Sequence, residues 1–237
     1  MSNAPSYPSL IPVPDVIKSD RIILRPLAPD DVPAFLAAIV ESRPELDPWL
    51  EWPQHITTVD AARDLCLRRA AQRLLREDLM VGIFDRGDGR LLGGSGLHNP
   101  DWRVRSFEIG YWLRTSSVGR GVMQETVRLL TVLAFERLAA RRVAIHCDPA
   151  NTRSRRVAEA VGYMLEGRLR NDTVTPQGEL RDTLVYALIP EDYARLAALW
   201  LPLITERPVT NGSELSVSFG APTRPVGPEL DSPGELV

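Results

Sequence analysis

The sequence predicts an α/β protein built on a central, twisted, mixed sheet flanked by helices. Three observations predict it. Strand-like and helix-like runs alternate from residue 19 to about residue 203, as layered α/β domains require. Three successive strand-like runs are separated only by turn residues, 86-RGDG-89 and Asn99-Pro100, which favours hairpin-type neighbours. The later strands are separated by helices, which favours crossovers and places helices on both faces.

The first strand is 21-RIILRPL-27, ended by Pro26 and 28-APDD-31. Asp30 or Asp31 is placed to cap the helix that follows, where Val32, Phe35, Leu36, Ile39 and Val40 share one face. Pro44 and Pro48 break the chain around 45-ELDPWLEWP-53, and a second helix is expected from 57-TTVD-60 to about Arg76. Strands follow at 79-LMVGIFD-85, 90-RLLGGSGLH-98 and 104-VRSFEIGYWLR-114, with a loop at Asn99-Pro100. A glycine-opened helix over 119–138 comes next. Its Met123, Val127, Leu130, Ala134 and Leu138 step by four, three, four and four residues, a core-facing stripe. A strand 141-RRVAIHCD-148, a helix 151–161, a strand 163-YMLEGRL-169 and a strand 181-RDTLVYALI-189 complete the pattern.

Composition narrows the function. The 237 residues are 44% apolar and 25% charged, ordinary for one large domain or one domain with tails. No window approaches the roughly 18 apolar residues of a membrane span. The start, MSNAPSYPSLIPVPDV, lacks the basic and apolar regions of a signal peptide, so a cytoplasmic protein is expected. Cys66 and Cys147 stand apart, and the histidines lie at 55, 98 and 146; neither a disulfide framework nor a metal site is indicated. Residues 206–237 hold five acids and two arginines, which accounts for the net charge of −3, while the remainder balances at 26 basic and 26 acidic residues. No basic face is evident, which argues against nucleic-acid binding. Residues 1–18 are proline-rich and read as an irregular lead-in, 19–203 as the folded domain, and 204–237, rich in Pro, Gly and Ser, as a disordered tail.

The stretch 116-SSVGRGVMQETVRLL-130 carries the functional question. The first turn of a helix leaves N–H groups without partners and carries a partial positive charge. Glycines at 119 and 121 let phosphate oxygens approach those groups, and Arg120 or Arg114 could add charge; the alternative is a glycine-eased turn that lets strand and helix pack closely. P-loop spacing and its lysine are absent, and Gln124 stands where a dinucleotide fingerprint needs a third glycine.

Several motifs in order make the reading specific. They are 107-FEIGYWLR-114, VGRGVM, and 142-RVAIHCDPANTRSRRVAEAVGYMLEGRLR-170, with 49-WLEW-52 upstream. Over roughly residues 19–190 the chain resembles the GNAT superfamily of acetyl-CoA-dependent N-acetyltransferases, more narrowly the ribosomal-protein-alanine (RimJ/RimL-type) enzymes. The resemblance implies the GNAT acyl-CoA N-acyltransferase fold, with acetyl-CoA as co-substrate and no metal. It implies that the pantetheine arm pairs with backbone at Tyr111, Trp112, Leu113 and Arg114. The pyrophosphate would rest on N–H groups of Val118, Gly119, Arg120, Gly121, Val122 and Met123, and Asn151 would touch the arm. Ser116 replaces the Gln or Arg usual in the family, which removes a side-chain phosphate contact.

Acetyl transfer needs an unprotonated amine, a polarised carbonyl and a proton for the departing thiolate. Ser154 matches the N-x-x-S serine of the subfamily and is the candidate acid; it could equally decorate the first turn of its helix. Ala158 stands where many related enzymes have a tyrosine. Glu108 shares a strand face with Gly110 and Trp112 and is a candidate base acting through water, or a packing anchor. Asp172 is the acid expected after the L-E-G strand, one position from the match, with Thr173 in its place. His146 could titrate near neutrality beside the substrate, or be a packed structural residue. Trp49, Trp52 and His55 mark the substrate loop, with Trp49 expected in the core and Trp52 as the wall that grips an amine. The leading acceptor is a protein N-terminus. Aminoglycosides, polyamines or amino-acid-like metabolites are the alternative, and a non-catalytic acyl-CoA sensor or a tail-based recruiting module are others. Homodimers are common among the proteins it resembles.

Overall fold

In the computed structural model, which describes residues 7–200 and 214–216, the strands join into one sheet. In chain order they are β1 (Val16–Lys18), β2 (Ile22–Arg25), β3 (Leu79–Asp85), β4 (Leu91–Asp101), β5 (Ser106–Leu113), β6 (Arg142–Cys147), β7 (Met164–Val174), β8 (Leu180–Leu188) and β9 (Glu214–Ser216). Their spatial order is β7-β8-β6-β5-β4-β3-β2-β1-β9. Only β5–β6 and β1–β9 pair in parallel; the other neighbours are antiparallel. The helices are α1 (Val32–Leu46), α2 (Val59–Leu75), α3 (Val122–Val132), α4 (Thr152–Val161) and α5 (Pro190–Trp200).

Side-chain alternation along β5 divides the core. Phe107 and Ile109 face a cluster with Met123, Val127, Leu129 and Leu130 of α3, Ala158 and Val161 of α4, and Tyr193 of α5. Trp112 faces the other way, into a cluster with Phe35 and Ile39 of α1, Ala62 and Cys66 of α2, and Phe84 of β3. The mixed sheet with helices on both faces is the fold that the sequence implies. The predicted stripe Met123, Val127, Leu130, Ala134, Leu138 is buried throughout.

Several elements differ from expectation, each for a local reason. Val16–Lys18, read as lead-in, is a strand, because Ile17 fits the core and the turn at Ser19 returns its N–H to the Ile22 carbonyl. Asp31 does not cap α1; its carboxylate takes the Arg25 guanidinium and the Ala28 N–H instead. α1 runs through Pro44 to Leu46. The bond that proline cannot make falls on the carbonyl of Val40, which was placed on the apolar face but is 56% exposed. The Asn99-Pro100 loop is a bulge within β4, with Asn99 at φ 47. α3 starts at Val122, later than 119, and gives way to a π-helical turn over Leu133–Arg137. β7 extends to Val174, and α5 was missed although Pro190, Glu191 and Asp192 give it a helix-start signal. Of the stretch read as a tail, Glu214–Ser216 pairs with β1; the remainder lies outside the described residues.

Candidate active site

β5 and β6 are hydrogen-bonded to each other only from Ser106–Glu108 to Arg142–Ala144. Beyond that, β5 stays with β4 as far as Leu113 and β6 with β8 as far as Cys147. A gap lined by unpaired backbone therefore opens after Glu108. The Arg114 N–H donates to the Leu92 carbonyl at 2.8 Å. Ladder alternation then turns the polar groups of Trp112 toward β4 and those of Tyr111 and Leu113 toward the gap. Of the four residues expected to pair with an extended ligand, Tyr111 and Leu113 present free groups. Arg114 is committed: its carbonyl accepts from Ser117 at 2.8 Å, and its guanidinium holds Glu41 at 2.5 Å.

At the end of β5 the chain turns through Val118 into α3. Gly119 has φ 82 and Gly121, the N-cap, φ 73, left-handed values that disfavour any side chain. The N–H groups of Gly119, Arg120, Gly121, Val122 and Met123 have no acceptor among the described residues. The Val118 N–H reaches the Thr115 carbonyl at 3.3 Å, and the Ser116 N–H is taken by Glu41 at 3.0 Å. Arg21 braces this turn: its Nη1 donates to the Arg120 carbonyl at 3.0 Å, and its Nε donates to Glu125 at 2.7 Å, the carboxylate that meets its charge. No local sequence signal marks Arg21, which lies far away in the chain.

α4 starts on the opposite lip of the gap. Asn151 caps it, its Oδ1 accepting the Ser154 N–H at 3.0 Å; this is the N-cap role that Asn residues commonly take. The Ser154 hydroxyl donates to the Tyr111 phenol oxygen at 3.1 Å, and the phenol donates to the Ser154 carbonyl at 3.1 Å. Burial pushes the Tyr111 phenol far above its ordinary value, so it stays neutral. Burial likewise raises the Cys147 thiol, which therefore stays protonated and makes a poor nucleophile. Tyr111 was expected to contribute backbone only; its odd position on β5, opposite in face to Glu108, was the available signal for its side chain.

The other face of the gap carries the acidic and imidazole groups. Glu108 Oε2 accepts from Asn99 Nδ2 at 3.0 Å and lies 3.4 Å from His146 Nδ1. Burial acts to raise the Glu108 carboxyl, but the hydrogen bond and charge of His146 outweigh it and hold it below its ordinary value. The same hydrogen bond raises His146, with a smaller contribution from Asp172, which stands exposed on β7. The structure thus pairs Glu108 with His146, while Asp172 makes no hydrogen bond or ion pair with either among the described residues. Trp52 stacks on Phe35 with ring centroids 6.3 Å apart and meets Trp112 edge-on at 6.0 Å. Trp49, expected in the core, belongs to neither buried cluster; its carbonyl accepts from Arg181. Trp52 is both core-packed and a wall of a cavity of about 130 Å³ that reaches Ser95, His98, Gly110 and Tyr111. His55 is exposed beside Glu51, at 3.8 Å.

This arrangement can be set beside known proteins. The family model for the acetyltransferase (GNAT) domain matches residues 21–164. YdaF of Bacillus subtilis (strain 168), whose ribosomal N-acetyltransferase name is itself provisional, is 31% identical over 178 residues, covering 74% of this chain and 94% of that protein. The ribosomal-protein-serine acetyltransferase of Escherichia coli (strain K12) is 26% identical over 152 residues, 64% of this chain and 84% of its own length. Among solved structures, the ribosomal L7/L12 α-N-protein acetyltransferase RimL in complex with coenzyme A aligns with a TM-score of 0.69 at 26% identity, covering 73% of this chain and 97% of that one. On the family match and the identity to YdaF, both running through the parted strands and the glycine-opened helix, the chain belongs to the GNAT acetyltransferase family.

Proposed function

We propose that the protein transfers the acetyl group of acetyl-CoA to a primary amine, with a protein N-terminal α-amine as the acceptor. One observation carries the reading: the gap between β5 and β6 leads from the unpaired N–H groups at α3 to the Ser154–Tyr111 pair at α4. Acetyl-CoA supplies an activated acyl thioester. Tyr111 and Leu113 offer it strand-like backbone pairing, and the N–H groups from Gly119 to Met123 suit its pyrophosphate. Ser154 turns its one hydroxyl hydrogen from the Tyr111 oxygen, where it rests, to the departing thiolate. Trp52 walls the side from which the amine enters. The ribosomal-protein names of the relatives support a protein acceptor, and a ribosomal acceptor would be met in the cytoplasm. Among the described residues no helix is long and apolar enough to cross a membrane.

Thiol release from acetyl-CoA, measured across peptides with N-terminal Ser or Ala, polyamines and aminoglycosides, tests the proposal. Release is expected with a peptide, and Ser154→Ala should lower kcat about 10²-fold with little change in acceptor KM. Preference for a polyamine or aminoglycoside would move the acceptor to small molecules. Tight acetyl-CoA binding without release to any amine would instead favour a sensor.

A further inference from the structure

The cavity beside Trp52 contains a titratable ring that the reading above leaves without a role. His98 of β4 lines it together with Leu50, Met80, Gly110 and Tyr111. His98 Nδ1 lies 2.8 Å from Asp78 Oδ2. Asp78 is buried and also accepts from Arg69 Nη1 at 3.0 Å and from the Met80 N–H at 2.8 Å. A carboxylate can only accept, so a neutral ring bonded to it donates from Nδ1 and keeps its lone pair on Nε2. Nε2 has no hydrogen-bond partner among the described residues. The ring lies against two glycines. A Cβ on Gly96 would come within 2.9 Å of its Cε1, and one on Gly110 within 3.0 Å of Cδ2 and 3.3 Å of Nε2. Gly110 stands just beyond the last β5–β6 pair, at the mouth of the gap. Glu108, the base that the sequence suggests, is already engaged by Asn99 and His146.

We infer that His98, oriented by Asp78, is the group that takes the proton from the acceptor amine, and that the cavity between Trp52 and Gly110 seats that amine. This inference rests on the acetyl-transfer reading. The amine nitrogen uses its lone pair to form the N–C bond, and the proton it then carries passes to His98 Nε2. As the C–S bond breaks, the thiolate takes a proton from Ser154, which recovers one from solvent as His98 returns its own. Atoms and charge balance as amine plus thioester giving amide plus thiol. Asp78 touches neither substrate and is a positioning residue, comparable to the acid behind the histidine of a hydrolase triad.

The experiment uses the full chain, acetyl-CoA and a peptide with N-terminal Ser or Ala. His98→Gln is expected to keep the acetyl-CoA-induced rise in Tm and an acceptor KM within about threefold, while kcat falls about 10²-fold or more. The charged groups facing the ring are Asp78, Arg69 and Glu108, so Glu108→Gln serves as a control for the acidic limb of kcat/KM. That limb should vanish in His98→Gln, leaving a rate that follows the amine's own ionisation. Imidazole should restore His98→Gly saturably, and Asp78→Asn should displace the limb without abolishing it. A His98→Gln enzyme with unchanged kcat and limb would overturn the inference alone. So would loss of acetyl-CoA binding in His98→Gln with no imidazole rescue of His98→Gly, which would leave the ring a packing role. Failure of the wild-type protein to release thiol to any acceptor would overturn the acetyl-transfer reading, and this inference with it.

Discussion

Glu108 and His146 stand on neighbouring strands, and the parallel register that sets Glu108 against Ala144 brings imidazole and carboxylate to 3.4 Å. Folding raises the imidazole above 6.5 and lowers the carboxylate below 4.5. The raised imidazole contributes stability that is complete below its unfolded value and lost as pH rises through the folded one. The lowered carboxylate contributes stability above its unfolded value that is lost as pH falls through the folded one. Both act together between about pH 4.5 and 6.5. His146→Gln should therefore lower Tm most in that window and progressively less above it. The His146 side chain is 40% exposed, so solvent screening keeps the loss under about 1 kcal/mol. Melting curves at about pH 5.5 and 8.5 check this; an equal loss at both would mean that the ring stabilises by packing and not by charge. As single titratable residues Glu108, His146, Asp172 and Ser154 were readable in the sequence. Their pairing was not, because Glu108 meets His146 only through the register of β5 against β6, and Ser154 meets Tyr111 only through where α4 lies against β5.

At the scale of elements, the helix that opens on glycines was readable because its chemistry is local: two positive-φ positions followed at once by an apolar period. α1 crossing Pro44 and the bulge at Asn99 were not, since each depends on tertiary packing that offsets a local breaking signal. The glycine opening also gives a direct test. A Cβ at Gly119 meets nothing within 4 Å, so substitution there costs mainly the strain of a side chain at φ 82, about 1–2 kcal/mol. Gly119→Ala should lower Tm slightly yet keep most of the rise that acetyl-CoA induces. Gly119→Glu places a carboxylate beside the free N–H groups and should abolish that rise, which at 100 times Kd corresponds to about 2.7 kcal/mol. A full ligand-induced shift in Gly119→Glu would rule out α3 as the phosphate seat.

Across the whole molecule, β5 is the wall shared by two layers with different duties. One layer, holding α3 and α4, carries the glycine opening and Ser154; the other, holding α1 and α2, carries Trp52, His98 and the cavity. The sequence implied helices on both faces, but not which face would meet which substrate, because that follows from where the strands part. The division predicts separable defects. Phe35, fully buried, stacks on Trp52 and meets Trp112 edge-on at 6.0 Å. Phe35→Ala should cost about 3–5 kcal/mol and loosen Trp52, the wall proposed for the acceptor. Acceptor KM should then rise while the acetyl-CoA-induced shift in Tm is retained. Leu129, fully buried on the inner face of α3, should cost about 2–5 kcal/mol when cut to Ala and leave acceptor KM near the wild-type value. Urea titrations give the two stability losses, and steady-state kinetics at a temperature where both variants are folded give the rest. If Phe35→Ala weakened acetyl-CoA as much as the acceptor, β5 would be transmitting strain between the layers, and the two substrates could not be assigned to separate faces.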